Sequence, residues 1–305
     1  MSTSLSILAC SVFAGLLFPE LAAWWGDFMF GSLFCIMLFA LMQIDLLTIK
    51  EKVFANMELV IAMVAVQMIA LPIVIFILIE LFSWHSAAAQ YALLVACAGS
   101  VFGTPAFAGL LGLDRTQSLL GVIATTLLVP LTTLIVLPLV THVSDQGVVV
   151  FDLSVYVSRI GMFIVLPMTL AVIYRKFLRL TGSAGHDRLL RIAVVITLVI
   201  FAVAVMDGVT AKWIEDPVSV VELFIWVMII HVSLYLISYL CFRAHGMQAA
   251  ITAGMLSAYR NLGLVVAICG PFLSDEFLIF VGLWQIPMYV SPLCLRLIFG
   301  DRYQR

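Results

Sequence analysis

The chain has 305 residues, of which 64% are apolar and only 10% charged, with a formal net charge of −2 and a mean hydropathy of +1.21. A soluble domain carries about 25% charged residues, so these figures exclude a water-soluble globular protein. They equally exclude a basic face for nucleic acid.

Each membrane span needs about 20 apolar residues. Marking the chain at its polar breaks predicts ten spans, at 4–22, 28–46, 58–82, 88–112, 116–141, 155–175, 189–211, 219–242, 247–271 and 277–299. The first has no basic residue before its apolar run and no small-x-small cleavage site followed by a polar mature chain, so it is expected to stay as a span. The second ends in Gln43 and Asp45, which either line a cavity or cap the helix. The third carries Gln67, five residues before Pro72. The fourth is broken by Ala98-Gly99-Ser100-Val101-Phe102-Gly103-Thr104-Pro105. Proline removes a backbone donor and glycine unwinds cheaply, which frees backbone groups that lipid tolerates only against protein or a water-filled cavity. The fifth holds the hydroxyls Ser118, Thr125 and Thr126.

In the second half, Asp207 lies late in the seventh span, five residues before Lys212. It is either a member of an interfacial ion pair or a proton-linked cavity residue. His231, midway along the eighth, titrates near neutral pH or is simply a hydrogen-bonded interior histidine. Glu222 and Trp226 suit the membrane interface. The ninth span contains Leu256-Ser257-Ala258-Tyr259-Arg260-Asn261-Leu262-Gly263, with the one guanidinium in the middle of an apolar stretch. Such a charge costs at least about 2.5–3.5 kcal/mol and calls for a partner or a cavity. Gln285 and Tyr289 mark the tenth. The six cysteines all fall in apolar stretches and read as small buried residues, neither disulfides nor metal ligands.

Basic residues near span ends are retained on the cytoplasmic side. Lys50, Lys52, Arg115, Arg175, Lys176, Arg179, Arg188, Arg191, Arg243, Arg296, Arg302 and Arg305 collect on one face, against Lys212 and Arg159 on the other. Both termini and the linker at 176–188 are therefore expected in the cytoplasm of a multi-pass protein of the cell membrane, the inner or plasma membrane. That linker divides the chain into two five-span repeats, 1–142 and 143–305. Five is odd, so the second repeat is inverted, an arrangement typical of secondary transporters with sites on interrupted helices at the midplane.

Several motifs carry a resemblance. GLLFPELAAW with LFCIMLFALMQIDL, the Gln67 to Pro72 spacing, LLGLDRTQSLLGVIATTLLVPLTT and GMLSAYRNLGLVVAI together resemble the bile acid:sodium symporter family over nearly the whole chain. The resemblance implies an all-α membrane fold of ten helices in two inverted repeats. Its core domain has crossed, broken fourth and ninth helices, and its panel domain is made from the first, second, sixth and seventh. It implies secondary transport of a small organic anion by alternating access between core and panel. The implied substrate and ion site comprises Gln67, Ser100, Gly103, Thr104, Pro105, Ser118, Thr125, Thr126, Ser257, Tyr259, Arg260 and Asn261, with Asp207 and His231 as proton-linked candidates.

The departures bear on the ion. Sodium-coupled members have Glu-x-Gly-x-Gln-Asn in the ninth span, where this chain has Leu256 at the glutamate and Arg260 at the glutamine. The Ser-Asn of the family's fourth-span break stands here as Thr104-Pro105. A hard cation wants several oxygens and some charge compensation, so sodium coupling is not expected, and the Arg260 guanidinium takes the place of a bound cation. It is expected to hydrogen-bond Gln67 and the freed fourth-span carbonyls, either as a structural clamp or while also facing the anion. The runner-up is a non-transporting sensor or assembly protein that keeps the fold. HExxH, GxSxG and P-loop patterns are absent, so no enzyme, no cofactor and no nucleic-acid partner are expected, with the lipid bilayer as surroundings.

Overall fold

The computed structural model describes residues 2–43, 57–84, 86–143, 152–178 and 184–299; Asp45 and positions 179–183 of the expected linker lie outside them. Among the described residues the fold is all-helical, with no strand and one isolated backbone bridge. Helices suit this composition because each satisfies its own backbone without water. Six of them are long and apolar enough to cross a membrane: Met57–Leu81, Arg115–Val140, Leu153–Phe177, Arg188–Glu215, Pro217–His245 and Asp275–Arg296. A seventh is counted if the pair Pro19–Gly26 and Met29–Met42, bent by 72°, is taken as one span.

The chain divides into two compact units, each drawn from both halves of the sequence. The first comprises Met1–Lys50, Phe151–Val221 and Val266–Tyr289. Helix α1 (Ser2–Leu17) ends where Pro19 opens α2 (Pro19–Gly26), and α3 (Met29–Met42) follows. Asp152 then caps α8 (Leu153–Phe177) by accepting from the amides of Ser154 and Val155, ahead of α9 (Ala184–Ala204) and α10 (Asp207–Glu215). Gly15 lets α1 approach the end of α9, since a Cβ there would lie 2.8 Å from the Met206 side chain. The Arg159 guanidinium sits over the Phe30 ring and donates to the Ala267 carbonyl at 2.7 Å. That position favours a cation, because it is the C-terminal end of a short helix.

The second unit comprises Glu51–Val150, Glu222–Val265 and Val290–Arg305. It holds α4 (Met57–Leu81), α5 (Ala87–Cys97), α6 (Thr104–Leu110), α7 (Arg115–Val143), most of α11 (Pro217–Phe242) and α12 (Met247–Ala258). It also holds the start of α13 (Leu262–Cys269) and the end of α14 (Asp275–Phe299). Ser86 caps α5 through the Ala89 amide. Thr132 of α7 donates to the Cys97 carbonyl at 2.9 Å, which satisfies an acceptor exposed by the end of α5.

One local device matters for the site. A π turn covers Val66–Ala70 within α4, and the Leu71 amide reaches back five residues to the Val66 carbonyl. The next bond in that register would come from position 72, which is proline and has no N–H. The Gln67 carbonyl is therefore left open to another donor. The same pattern recurs at Gly161–Val165, where Leu166 bonds to Gly161 and Pro167 leaves the Met162 carbonyl open.

Candidate functional site

Two interrupted helices meet in the second unit. Helix α5 stops at Cys97, Ala98 turns extended, and α6 begins at Thr104 with Pro105 in its first turn. Helix α12 stops at Ala258, and α13 resumes at Leu262. The unwound segments run antiparallel and pair at Ser100 and Arg260. The Val101 amide donates to the Tyr259 carbonyl at 2.8 Å, and the Asn261 amide donates to the Gly99 carbonyl at 2.7 Å. Backbone groups that each break removes from its own helix thus satisfy the other.

Side chains lock this crossing. Gln67 spends both amide hydrogens of Nε2, on Ser100 Oγ and on the Leu256 carbonyl, each at 2.7 Å. Ser100 Oγ donates to the same carbonyl at 2.6 Å, while the Ser100 amide donates to Thr125 Oγ1 at 3.1 Å. Thr104 Oγ1 closes the turn onto the Val101 carbonyl.

Arg260 is fully buried, at 0% exposure. Its Nη1 donates to the Ala98 carbonyl at 2.6 Å and its Nη2 to the Gln67 carbonyl at 3.4 Å. The acceptor on Gln67 is the backbone oxygen that Pro72 leaves open, whereas the side chain serves the Ser100 and Leu256 contacts. Among the described residues Arg260 has no carboxylate partner, and its Nε and the Gln67 Oε1 have no hydrogen-bond partner. Both α5 and α12 end here, so the guanidinium stands where two helix C-termini concentrate negative partial charge.

The surroundings of Leu256 are apolar. Its side chain packs with Met63, Val122, Phe242, Ala249 and Ala253. A Cβ on Gly121 would lie 2.7 Å from Leu256 Cδ1, so a larger residue there would displace the end of the Leu256 side chain. Ser118, Thr126 and Thr252 are buried hydroxyls without a hydrogen-bond partner among the described residues.

The remaining expected residues have separate places. Asn261 is half-buried and caps α13, its Oδ1 accepting from the Leu264 amide at 3.1 Å. Ser257 accepts from Ser238 at 2.6 Å. Gly103 and Pro105 flank the start of α6, and a Cβ on Gly103 would lie 3.3 Å from the Phe107 ring. The Tyr259 ring stands edge-on to Phe107, with centroids 5.6 Å apart, and lies against His231 at 6.0 Å. Its hydroxyl oxygen accepts from Ser291.

Among the described residues no ion pair joins Asp207 to Lys212. Asp207 is exposed in the first turn of α10, and Lys212 faces Glu215 at 3.7 Å. On a helix, residues three apart share a face and residues five apart do not. Gln43 is exposed and reaches back to the Phe39 carbonyl at the end of α3. The Trp226 ring lies tilted against that of Trp84, with centroids 4.9 Å apart. Gln285 is buried in the first unit and donates to the Val281 carbonyl. Thr252 and Ser291 were not singled out by the sequence, whereas the Ala98 carbonyl belongs to the fourth-span break that was. The advance signals for the site's backbone acceptors were the glycine and proline break of the fourth span and the Gln67 to Pro72 spacing. Among the described residues no cluster of three or more histidine, cysteine or carboxylate side chains has metal-binding geometry.

A scan against protein-family models finds no match for this chain, and a search of curated proteins finds none either.

Proposed function

We propose that the chain is a ten-span secondary transporter built like the bile acid:sodium symporters, moving a small organic anion by alternating access without sodium. The observation that carries this is the pair of interrupted helices crossing at Ser100 and Arg260, with a buried guanidinium that has no carboxylate partner among the described residues. A fixed, uncompensated positive charge on freed backbone is suited to an anion and unsuited to a sodium ion. The apolar packing around Leu256 supports the same conclusion. The grouping of α1–α3 with α8–α10 in one compact unit fits the panel that the family resemblance implies. Ten spans in two inverted repeats with both termini in the cytoplasm complete the proposal, in a multi-pass protein of the cell membrane.

Flux of labelled organic acids into proteoliposomes tests it. The expected result is saturable uptake of at least one acid, unchanged when choline replaces sodium, and no uptake across the panel overturns it. The full burial of Arg260 favours a second reading, a sensor or assembly protein whose crossing is locked. Stabilisation by an acid without flux is its signature.

A further inference from the structure

Three polar side chains from three elements of the second unit form a chain that ends at the crossing. His231 of α11 is 4% exposed, and its Nε2 lies 3.5 Å from Ser291 Oγ on α14. Ser291 Oγ lies 3.1 Å from the Tyr259 hydroxyl. The backbone of Tyr259 is itself part of the crossing, through the bond from the Val101 amide.

Counting hydrogens gives this chain two orientations. With Nε2 unprotonated, Tyr259 can donate to Ser291 and Ser291 to His231, so both hydroxyl hydrogens are used within the chain. With a hydrogen on Nε2, His231 donates to Ser291 and Ser291 donates to Tyr259. The Tyr259 O–H then has no acceptor among the described residues and is available to an incoming one. Imidazolium carries a hydrogen on both nitrogens, so protonation of His231 permits only the second orientation. We propose that His231 binds a proton together with the transported anion, because protonation turns the Tyr259 hydroxyl out as a donor to the anion at the crossing. This rests on the transport reading above.

The charges nearby make the coupling positive. The other ionisable side chains acting on Tyr259 are Tyr235, one turn along α11, and Cys294, one turn along α14. Arg260 is the next residue and already supplies a positive charge. A second charge on His231 is repelled in a medium of low dielectric until an anion arrives to compensate it. The anion therefore favours the proton, and by linkage the proton favours the anion equally.

The test uses the full-length protein in detergent. Thermal stabilisation by acetate, lactate, pyruvate and benzoate is titrated at about pH 6 and about pH 8, a window in which the acids stay ionised and a histidine titrates. The expected result is an apparent affinity roughly 10-fold tighter at the lower pH. His231→Gln should abolish that difference, and Tyr259→Phe should weaken binding at both pH values. If His231→Gln does not fold, Ser291→Ala interrupts the chain at a half-buried position and should have the same effect. A full pH dependence retained in these variants overturns the proposal. If no acid stabilises the protein, the transport reading fails separately, and the relay is read without ligand from protein carrying 15N-labelled histidine. One of the five histidine signals, absent in His231→Gln, should report an unprotonated Nε2 at about pH 8 and change in Tyr259→Phe. A His231 signal with its hydrogen on Nε2 at that pH, or one that does not move when the hydroxyl is lost, overturns the relay.

Discussion

The guanidinium of Arg260 and the carbonyl of Ala98 are joined by a 2.6 Å hydrogen bond, and Ala98 is the residue at which α5 stops being helical. A cation at a helix C-terminus offsets the partial charge of the unpaired carbonyls. Arg260 does so for a helix 162 residues away in the chain while sitting just beyond the end of its own helix, α12. The planar fork also reaches the Gln67 carbonyl, so one side chain serves two helices and an open π turn.

Arg260→Ala should therefore cost far more than an ordinary substitution, on the order of 3–5 kcal/mol, because it leaves buried carbonyls without a donor. Arg260→Lys should recover only part of this, since an ammonium lacks the fork. Denaturation of the purified protein measures both. An Arg260→Ala protein as stable as the parent would remove the guanidinium from the centre of the site.

Pro72 and Arg260 should be energetically coupled although they do not touch in any bond described above. Pro72→Ala restores an N–H that can reach the Gln67 carbonyl and compete with Arg260 Nη2. A double-mutant cycle should show the loss from Arg260→Ala reduced by about 0.5–3 kcal/mol in the Pro72→Ala background. Strict additivity would mean that the carbonyl is not the shared partner.

Much of this was legible in the sequence because composition and proline act locally. The apolar runs required helices, Gly99, Gly103 and Pro105 marked the first break, and an arginine at position 260 stood out against its neighbours. Distant pairing was not legible. His231 and Ser291 are 60 residues apart, and no period or spacing connects them. Asp207 and Lys212 are near in sequence, but residues five apart do not share a helix face, and Lys212 faces Glu215 instead. The Gln67 to Pro72 spacing was visible, but its consequence, an open carbonyl, needs the π turn to be known.

Topology gives a prediction independent of the site. In a variant without native cysteines, Gly185→Cys places a thiol where the chain is exposed and a Cβ meets nothing within 4 Å. In the proposed orientation, which rests on the basic residues around it, this position faces the cytoplasm. An impermeant thiol reagent added outside intact cells should leave it unlabelled and should label it after permeabilisation. Labelling of intact cells would reverse the proposed orientation.

Sodium should have no effect on the parent protein, and two substitutions should create one. Leu256 occupies an apolar cluster, and its carbonyl already accepts from Gln67 and Ser100. Ser118 and Thr126 hold buried hydroxyls with no hydrogen-bond partner among the described residues, and oxygen groups of this kind are cation ligands only when a negative charge joins them and the competing positive charge leaves. Leu256→Glu alone adds a carboxylate beside a guanidinium, which favours an internal ion pair. Arg260→Gln alone removes charge and provides no anionic ligand. The double variant supplies the carboxylate and vacates the charge, so its melting temperature should rise on replacing choline with sodium, while the parent and both single variants stay unchanged. A sodium-dependent rise in the parent would show that Arg260 does not take the place of the ion. A double variant that folds yet ignores sodium would show that these oxygens do not converge on one ion.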